Sequence, residues 1–272
     1  NNILKITLDN VNIKVDKKED KAAMSVSGSG DTEINLKGNN VLDSTVSSGH
    51  AGLEKADTLN PAGEETGNDG KLIITACDNE QNLTAKGARW AAGIGGRANG
   101  VAHSKAEITG IEINGGKIYA EGDSGGEMNN DGGGAGIGGG CNRNGSHITI
   151  NGGTVAASGN MYDQIDGGAQ NYVVLSFASR QNGGQTYTLQ NADGETVGTW
   201  TLANDFTCLV VSSPDLTAGD YTLWQGDTQL AGTMSDGVGS PGGGRHMGGE
   251  APPADLDPWQ APEGEVPENA GS

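Results

Sequence analysis

The chain has 272 residues, of which 33% are hydrophobic, 4% aromatic and 48 are glycine, and its formal net charge is −19. So few large apolar side chains would struggle to fill the round core of a globular α/β enzyme, whereas a stack of thin coils buries only a narrow column of small and β-branched residues. The acid excess argues against nucleic acid and against an anionic membrane surface as partners, and no apolar run reaches membrane-spanning length.

Alternating apolar residues predict pairs of short strands joined by tight corners. Leu4, Ile6 and Leu8 form the first strand, and Val11, Ile13 and Val15 follow the Asp9-Asn10 bend. Ile34 and Leu36 lead over Gly38-Asn39-Asn40 to Val41 and Leu42, and Leu72 and Ile74 lead to Leu83 and Ala85. Segment 49–57, with an internal glycine, carries the best of few helix signals. Ile111 and Ile113 lead over Gly115-Gly116 to Ile118 and Ala120, and Ile148 and Ile150 lead over Gly152-Gly153 to Val155 and Ala157. Aligned at Ile6, Ile34, Leu72, Ile111 and Ile148, the units are 28, 38, 39 and 37 residues apart. The Gly-Ile-Gly phrases around Ile94 and Ile137 supply a third side for each coil. Glycine and asparagine suit the corners because they accept torsions closed to other residues.

The pattern changes after about Asn160. Longer strands are predicted at Tyr172–Ser179, Gln185–Gln190, Thr196–Leu202, Thr207–Val211 and Tyr221–Gln225, with a hairpin turn at Asn191-Ala192-Asp193-Gly194. A stack of coils has an open end that would pair with another molecule, and this segment is its natural cap. From Gly232 the composition turns to glycine, proline and acid, with seven acids against the single base Arg245, as in a linker or disordered tail. The expected fold class is all-β: a parallel β-helix, a solenoid with three short strands per coil, over residues 1–167. A C-terminal antiparallel β cap over 168–231 and an acidic Gly/Pro-rich tail over 232–272 complete it.

The phrases Ile148-Thr-Ile-Asn-Gly-Gly-Thr-Val-Ala-Ala and Gly134-Ala-Gly-Ile-Gly-Gly-Gly resemble bacterial secreted β-helix repeats. The segments from Val174-Leu-Ser-Phe to Phe206-Thr-Cys-Leu-Val-Val-Ser-Ser-Pro-Asp-Leu and Gly219-Asp-Tyr-Thr-Leu resemble the C-terminal part of one such family. This is the pectate-lyase-like, calcium-associated carbohydrate-binding β-helix proteins of anaerobic bacteria. The resemblance, over about 1–231, implies an extracellular or cell-surface location and non-catalytic binding of acidic or plant-type polysaccharide with calcium. Family members often place Asp before the Gly-Ile of each turn; here Ala92 and Ala135 stand at those places, and only Asp163-Gln-Ile-Asp166 retains something similar.

Candidate sites follow from side-chain chemistry. The loop from Glu121 to Asp131 is dense in oxygen donors, and Asp123, Glu127, Asn130 and Asp131 are its candidate Ca²⁺ ligands, with Asp163 and Asp166 as a second set. Trp90, Tyr119 and Tyr162 lie beside repeat turns as platforms on which sugar rings would stack. Gly134-Ala-Gly136-Ile-Gly-Gly139 fits a dinucleotide fingerprint literally, but it recurs as a repeat element with no helix pattern after it. Cys77, Cys141 and Cys208 lack any C-x-x-C spacing and read as small buried hydrophobes, and the four histidines are isolated. A lyase would need a base beside the substrate carboxylate, and Arg89, Arg97 and Arg143 are the cations next to Gly-rich elements. Two alternatives to carbohydrate binding stand beside it: a structural or adhesive surface protein that self-assembles through coil ends or edges, and a polysaccharide lyase.

Overall fold

The structure, a computed structural model, describes residues 3–17, 19–56, 58–59, 65–66, 70–98, 108–123, 133–141, 143, 145–160, 165–237 and 244–247. Among these the regular elements are all strands. One parallel sheet is formed, in spatial order, by β1 (Leu4–Asp9), β4 (Thr32–Lys37), β9 (Leu72–Ala76), β12 (Ile108–Ile113) and β15 (Gly145–Ile150). A second begins with β2 (Asn12–Lys14), β5 (Asn39–Asp43), β10 (Asn82–Lys86), β13 (Lys117–Glu121) and β16 (Thr154–Gly159). A third contains β3 (Met24–Val26), β6 (Leu53–Lys55), β11 (Ile94–Gly95) and β14 (Ile137–Gly138). The chain visits the three in rotation, interrupted by the antiparallel pair β7 (Thr58–Leu59) and β8 (Glu65–Thr66).

Register stacks like on like. In the first sheet Ile6, Ile34, Ile74, Ile113 and Ile150 form one row. Leu72, aligned with Ile34 by sequence, instead pairs with Thr32. A two-residue slip keeps every side chain on its own face, so apolar alternation alone does not distinguish the two registers. In the second sheet Leu42, Ala85, Ala120 and Ala157 form one inward row, and Asn40, Leu83, Ile118 and Val155 form the other. Asn40 is an asparagine in an apolar column. Its Oδ1 accepts the Val11 N–H at 3.0 Å, and its Nδ2 donates to the carbonyls of Lys37 (3.2 Å) and Asn82 (3.1 Å).

The segment read as a weak helix contains β6, because Leu53 stacks on Ile94 and Met24 in the third sheet. Ala51-Gly52-Leu53 is thereby a third copy of Ala92-Gly93-Ile94 and Ala135-Gly136-Ile137. A Cβ on Gly52 would lie 2.5 Å from the Lys86 nitrogen, one on Gly93 2.5 Å from the Glu121 nitrogen, and one on Gly136 2.6 Å from the Ala157 carbonyl carbon. Glycine is needed there for close approach of backbones. The Asn-Gly-Gly corners differ: Gly116 and Gly153 have φ of 91° and 90°, a left-handed conformation that suits glycine.

The remaining strands are antiparallel. β16 pairs with β20 (Phe206–Ser212), which pairs with β17 (Tyr172–Gln181). Then β23 (Gly232–Gly237) and β24 (Gly244–Met247) continue that sheet, so the segment read as a tail starts as a strand. A separate sheet has the order β19 (Thr196–Leu202), β18 (Gln185–Asn191), β21 (Tyr221–Gln225) and β22 (Thr228–Gln229). It covers a second core in which the Phe206 ring meets Tyr187 at 5.0 Å and Phe177 at 5.9 Å, both edge-on. The β18–β19 turn forms as its sequence predicts, with Asn191 Oδ1 accepting the N–H groups of Asp193 (3.1 Å) and Glu195 (2.8 Å). Cys141 and Cys208 are buried as expected, whereas Cys77 is exposed.

Candidate ligand cleft

The outward face of the second sheet turns toward β19. Thr84, Tyr119 and Ala156 are register partners on β10, β13 and β16, and Lys86 and Glu121 pair two residues on. With Thr199, Trp200, Thr201 and Leu202 they line an open cleft of about 360 Å³. That is the size range of small-molecule sites, and it combines aromatic rings, hydroxyls and one charge pair.

Strand alternation sets each wall. Tyr119 is half-buried and packs on the second core, whereas its neighbours Ile118 and Ala120 face the first core. On β19 the hydroxyls of Thr199 and Thr201 meet those of Thr188 (3.3 Å) and Thr186 (2.9 Å), while Trp200 turns to the other face and is buried. Glu121 is 4% exposed. Its Oε1 lies 3.2 Å from Lys86 Nζ, and its Oε2 accepts the N–H groups of Ala203 (2.7 Å) and Asn204 (3.2 Å). A buried carboxylate is tolerable only with such partners, and these fix the β19–β20 turn against the cleft floor.

The predicted sugar platforms separate. Tyr119 lines the cleft. Trp90 does not: the Arg89 guanidinium carbon sits 4.0 Å from the centre of its ring, and its backbone has a φ of 66°. Tyr162 lies outside the described residues.

Two of the predicted calcium ligands, Asp123 and Asp166, lie among the described residues. The Asp123 N–H donates to the Ala91 carbonyl (3.2 Å), and its own carbonyl accepts the Gly134 N–H (3.0 Å). Asp166 Oδ2 accepts the His147 N–H at 2.5 Å, where His147 has a φ of 52°. That carboxylate stabilises a left-handed turn. Glu127, Asn130, Asp131 and Asp163 lie outside the described residues. Among the described residues no three His, Cys, Asp or Glu side chains gather as a metal site. Ala92 and Ala135 are buried, where an unpaired carboxylate would be costly.

None of Arg89, Arg97 and Arg143 lines the cleft. The histidines are not all isolated: His50 Nδ1 lies 2.7 Å from Glu54 Oε2, and Nε2 lies 3.4 Å from Asp20 Oδ1. The hydrogen bond with Glu54 raises the His50 pKa against the opposing effect of burial.

Sequence reasoning selected Tyr119 and placed Glu121 in an acidic loop rather than in this cleft, and it passed over Lys86 and the β19 residues. A signal existed for Lys86 and Glu121, since Lys86-Gly87 and Glu121-Gly122 end equivalent repeat strands. Nothing in the repeat shows that β19 would fold back over them. Comparison with protein-family models, with curated proteins and with solved structures gives no match for this chain.

Proposed function

We propose that this chain is a secreted or cell-surface carbohydrate-binding protein, built as a parallel β-helix with three short strands per coil and closed at one end by antiparallel strands. The rotation of the chain through three parallel sheets supports the architecture. The observation that carries the function is the cleft between the second sheet and β19. A sugar ring stacks its C–H face on an aromatic surface and presents hydroxyls at its rim, and here Tyr119 lines the cleft beside its register partner Thr84. Lys86 gives the cleft a cation suited to the carboxylate of an acidic sugar, in keeping with acidic, plant-type polysaccharide as the ligand class. The role is binding without catalysis, with calcium assistance part of the same proposal.

The test is retention on immobilised pectin, cellulose and host glycans, with and without chelator, for the wild type and Tyr119→Ala. The expected result is retention on an acidic polymer that falls at least about tenfold in Tyr119→Ala, the loss of one stacking contact. No retention on any polymer would sink the reading. Retention unaffected by Tyr119→Ala would remove it from this cleft.

A further inference from the structure

The separate antiparallel sheet, β19-β18-β21-β22, has two unlike faces. Tyr187, Leu189, Trp200, Leu202 and Leu223 point into the second core. Strand alternation puts Thr199 and Thr201, Thr186 and Thr188, and Trp224 on the opposite face. Thr186, Thr199 and Thr201 are exposed there, and Thr188 and Trp224 are half-buried. The charge of this face sets it apart. Asp, Glu, Lys and Arg make up 19% of the chain, yet β18, β19, β21 and β22 contain none of them. Asp193, Glu195 and Asp227 stand in the turns at its margin. On a chain of net charge −19, this is a place where an uncharged ligand meets no charge that must be desolvated without a partner.

Register places Thr199, Thr188, Trp224 and Gln229 in one row across the four strands, with neighbours about 4.8 Å apart. The indole N–H of Trp224 donates to Thr222 Oγ1 at 2.9 Å. With its one donor satisfied, the residue offers a ligand the face of its ring. The hydroxyls of Thr188 and Thr199 lie 3.3 Å apart, and those of Thr186 and Thr201 2.9 Å apart. Each such pair uses one hydrogen and one lone pair, which leaves a hydrogen and further lone pairs for a ligand. We infer that this face binds an uncharged, hydroxyl-rich glycan chain, with one sugar ring stacked on Trp224 and its equatorial hydroxyls reaching Thr188 on one side and Gln229 on the other. An acidic polymer does not suit it, because the face holds no cation for a carboxylate and acids stand at its margin. The site is independent of the acidic-sugar reading of the cleft and takes a ligand of different charge. The two adjoin, since β19 also walls the cleft.

Affinity electrophoresis tests this apart from the cleft, in gels carrying hydroxyethylcellulose or galactomannan, both uncharged, or polygalacturonate. Trp224→Ala removes the stacking surface, Trp224→Phe keeps a ring there, and Thr188→Val removes one hydroxyl at nearly constant shape. The expected result is retardation by a neutral polymer that is indifferent to added salt. It weakens at least about fivefold in Trp224→Ala, the loss of one stacking contact. Trp224→Phe keeps most of it, Thr188→Val lowers it, and Tyr119→Ala leaves it unchanged. Retardation by neither neutral polymer, or equal retardation of wild type, Trp224→Ala and Thr188→Val, would overturn the inference. So would a dimer in sedimentation velocity that Trp224→Ala dissolves, which would give the face to a second copy of the chain. Failure with polygalacturonate alone bears on the cleft and leaves this site standing.

Discussion

Glu121 Oε2 accepts the amide hydrogen of Ala203 at 2.7 Å, across 82 residues of sequence. The bond ties the second parallel sheet to the turn between β19 and β20, and so sets the width of the cleft. Glu121→Ala would leave two backbone N–H groups and Lys86 without their carboxylate in a buried place. The expected cost is on the order of 3 kcal/mol, read as a lower urea midpoint. Glu121→Gln keeps an acceptor of the same shape and should lose less. Equal midpoints for wild type and Glu121→Ala would show that the turn is held by something else.

Asn40 makes the opposite kind of prediction, because a better apolar match should be worse. Its column is otherwise Leu83, Ile118 and Val155, so Asn40→Leu would suit the neighbours in size. It would also strip the Val11 N–H of its acceptor, the Asn82 carbonyl of the Asn40 donor, and the Lys37 carbonyl of one of its two donors. The expected loss is about 2 kcal/mol, with faster hydrogen exchange at Val11 than elsewhere in the sheets. A stabilised Asn40→Leu would mean that packing outweighs the hydrogen bonds here.

What the sequence made legible was what repeats. Ile-Asn-Gly-Gly marked the corners, and Gly-Ile-Gly marked the third sheet, because coils that stack must reuse the same solution. Register was less legible: Leu72 and Ile74 are equally apolar and share a face. Ala51-Gly52-Leu53 escaped notice because Leu replaces Ile and the flanking glycines are missing, although the steric demand on Gly52 is the same. The cleft was the least legible part. It depends on where β19 folds back, and Tyr119 and Trp200 become neighbours through tertiary packing that leaves no local pattern. Asp166 makes a related point, since its bond from the His147 N–H is a backbone contact that no local sequence pattern announces.

Close backbone approach makes Gly93 a sharper test than the corner glycines. A Cβ there would lie 2.5 Å from the Glu121 nitrogen and 2.8 Å from the Gly136 carbonyl oxygen, both backbone atoms of neighbouring strands. Gly93→Ala should therefore cost more than about 3 kcal/mol, or prevent folding, since strands must separate to admit the methyl group. Gly30 is the control: a Cβ there meets nothing within 4 Å, and Gly30→Ala should stay within about 0.5 kcal/mol of wild type. Similar effects from both substitutions would count against steric exclusion as the reason for glycine at 93.

His50 makes stability depend on pH in a direction its contacts fix. The Glu54 hydrogen bond favours the imidazolium, burial opposes it, Asp20 adds attraction and Arg97 repulsion, and the balance leaves the pKa above the ordinary histidine value of 6.5. The folded state therefore holds the His50 proton more tightly than the unfolded chain does. Its contribution is fully present below about pH 6.5 and is lost as pH rises through the folded-state value. Unfolding free energies of wild type and His50→Gln should differ most below about pH 6.5 and converge as pH rises through the folded-state value. NMR titration of the ring should place its midpoint above that of a histidine in a short peptide. Parallel stability curves for the two proteins across this range would show that the Glu54 contact does not couple to folding.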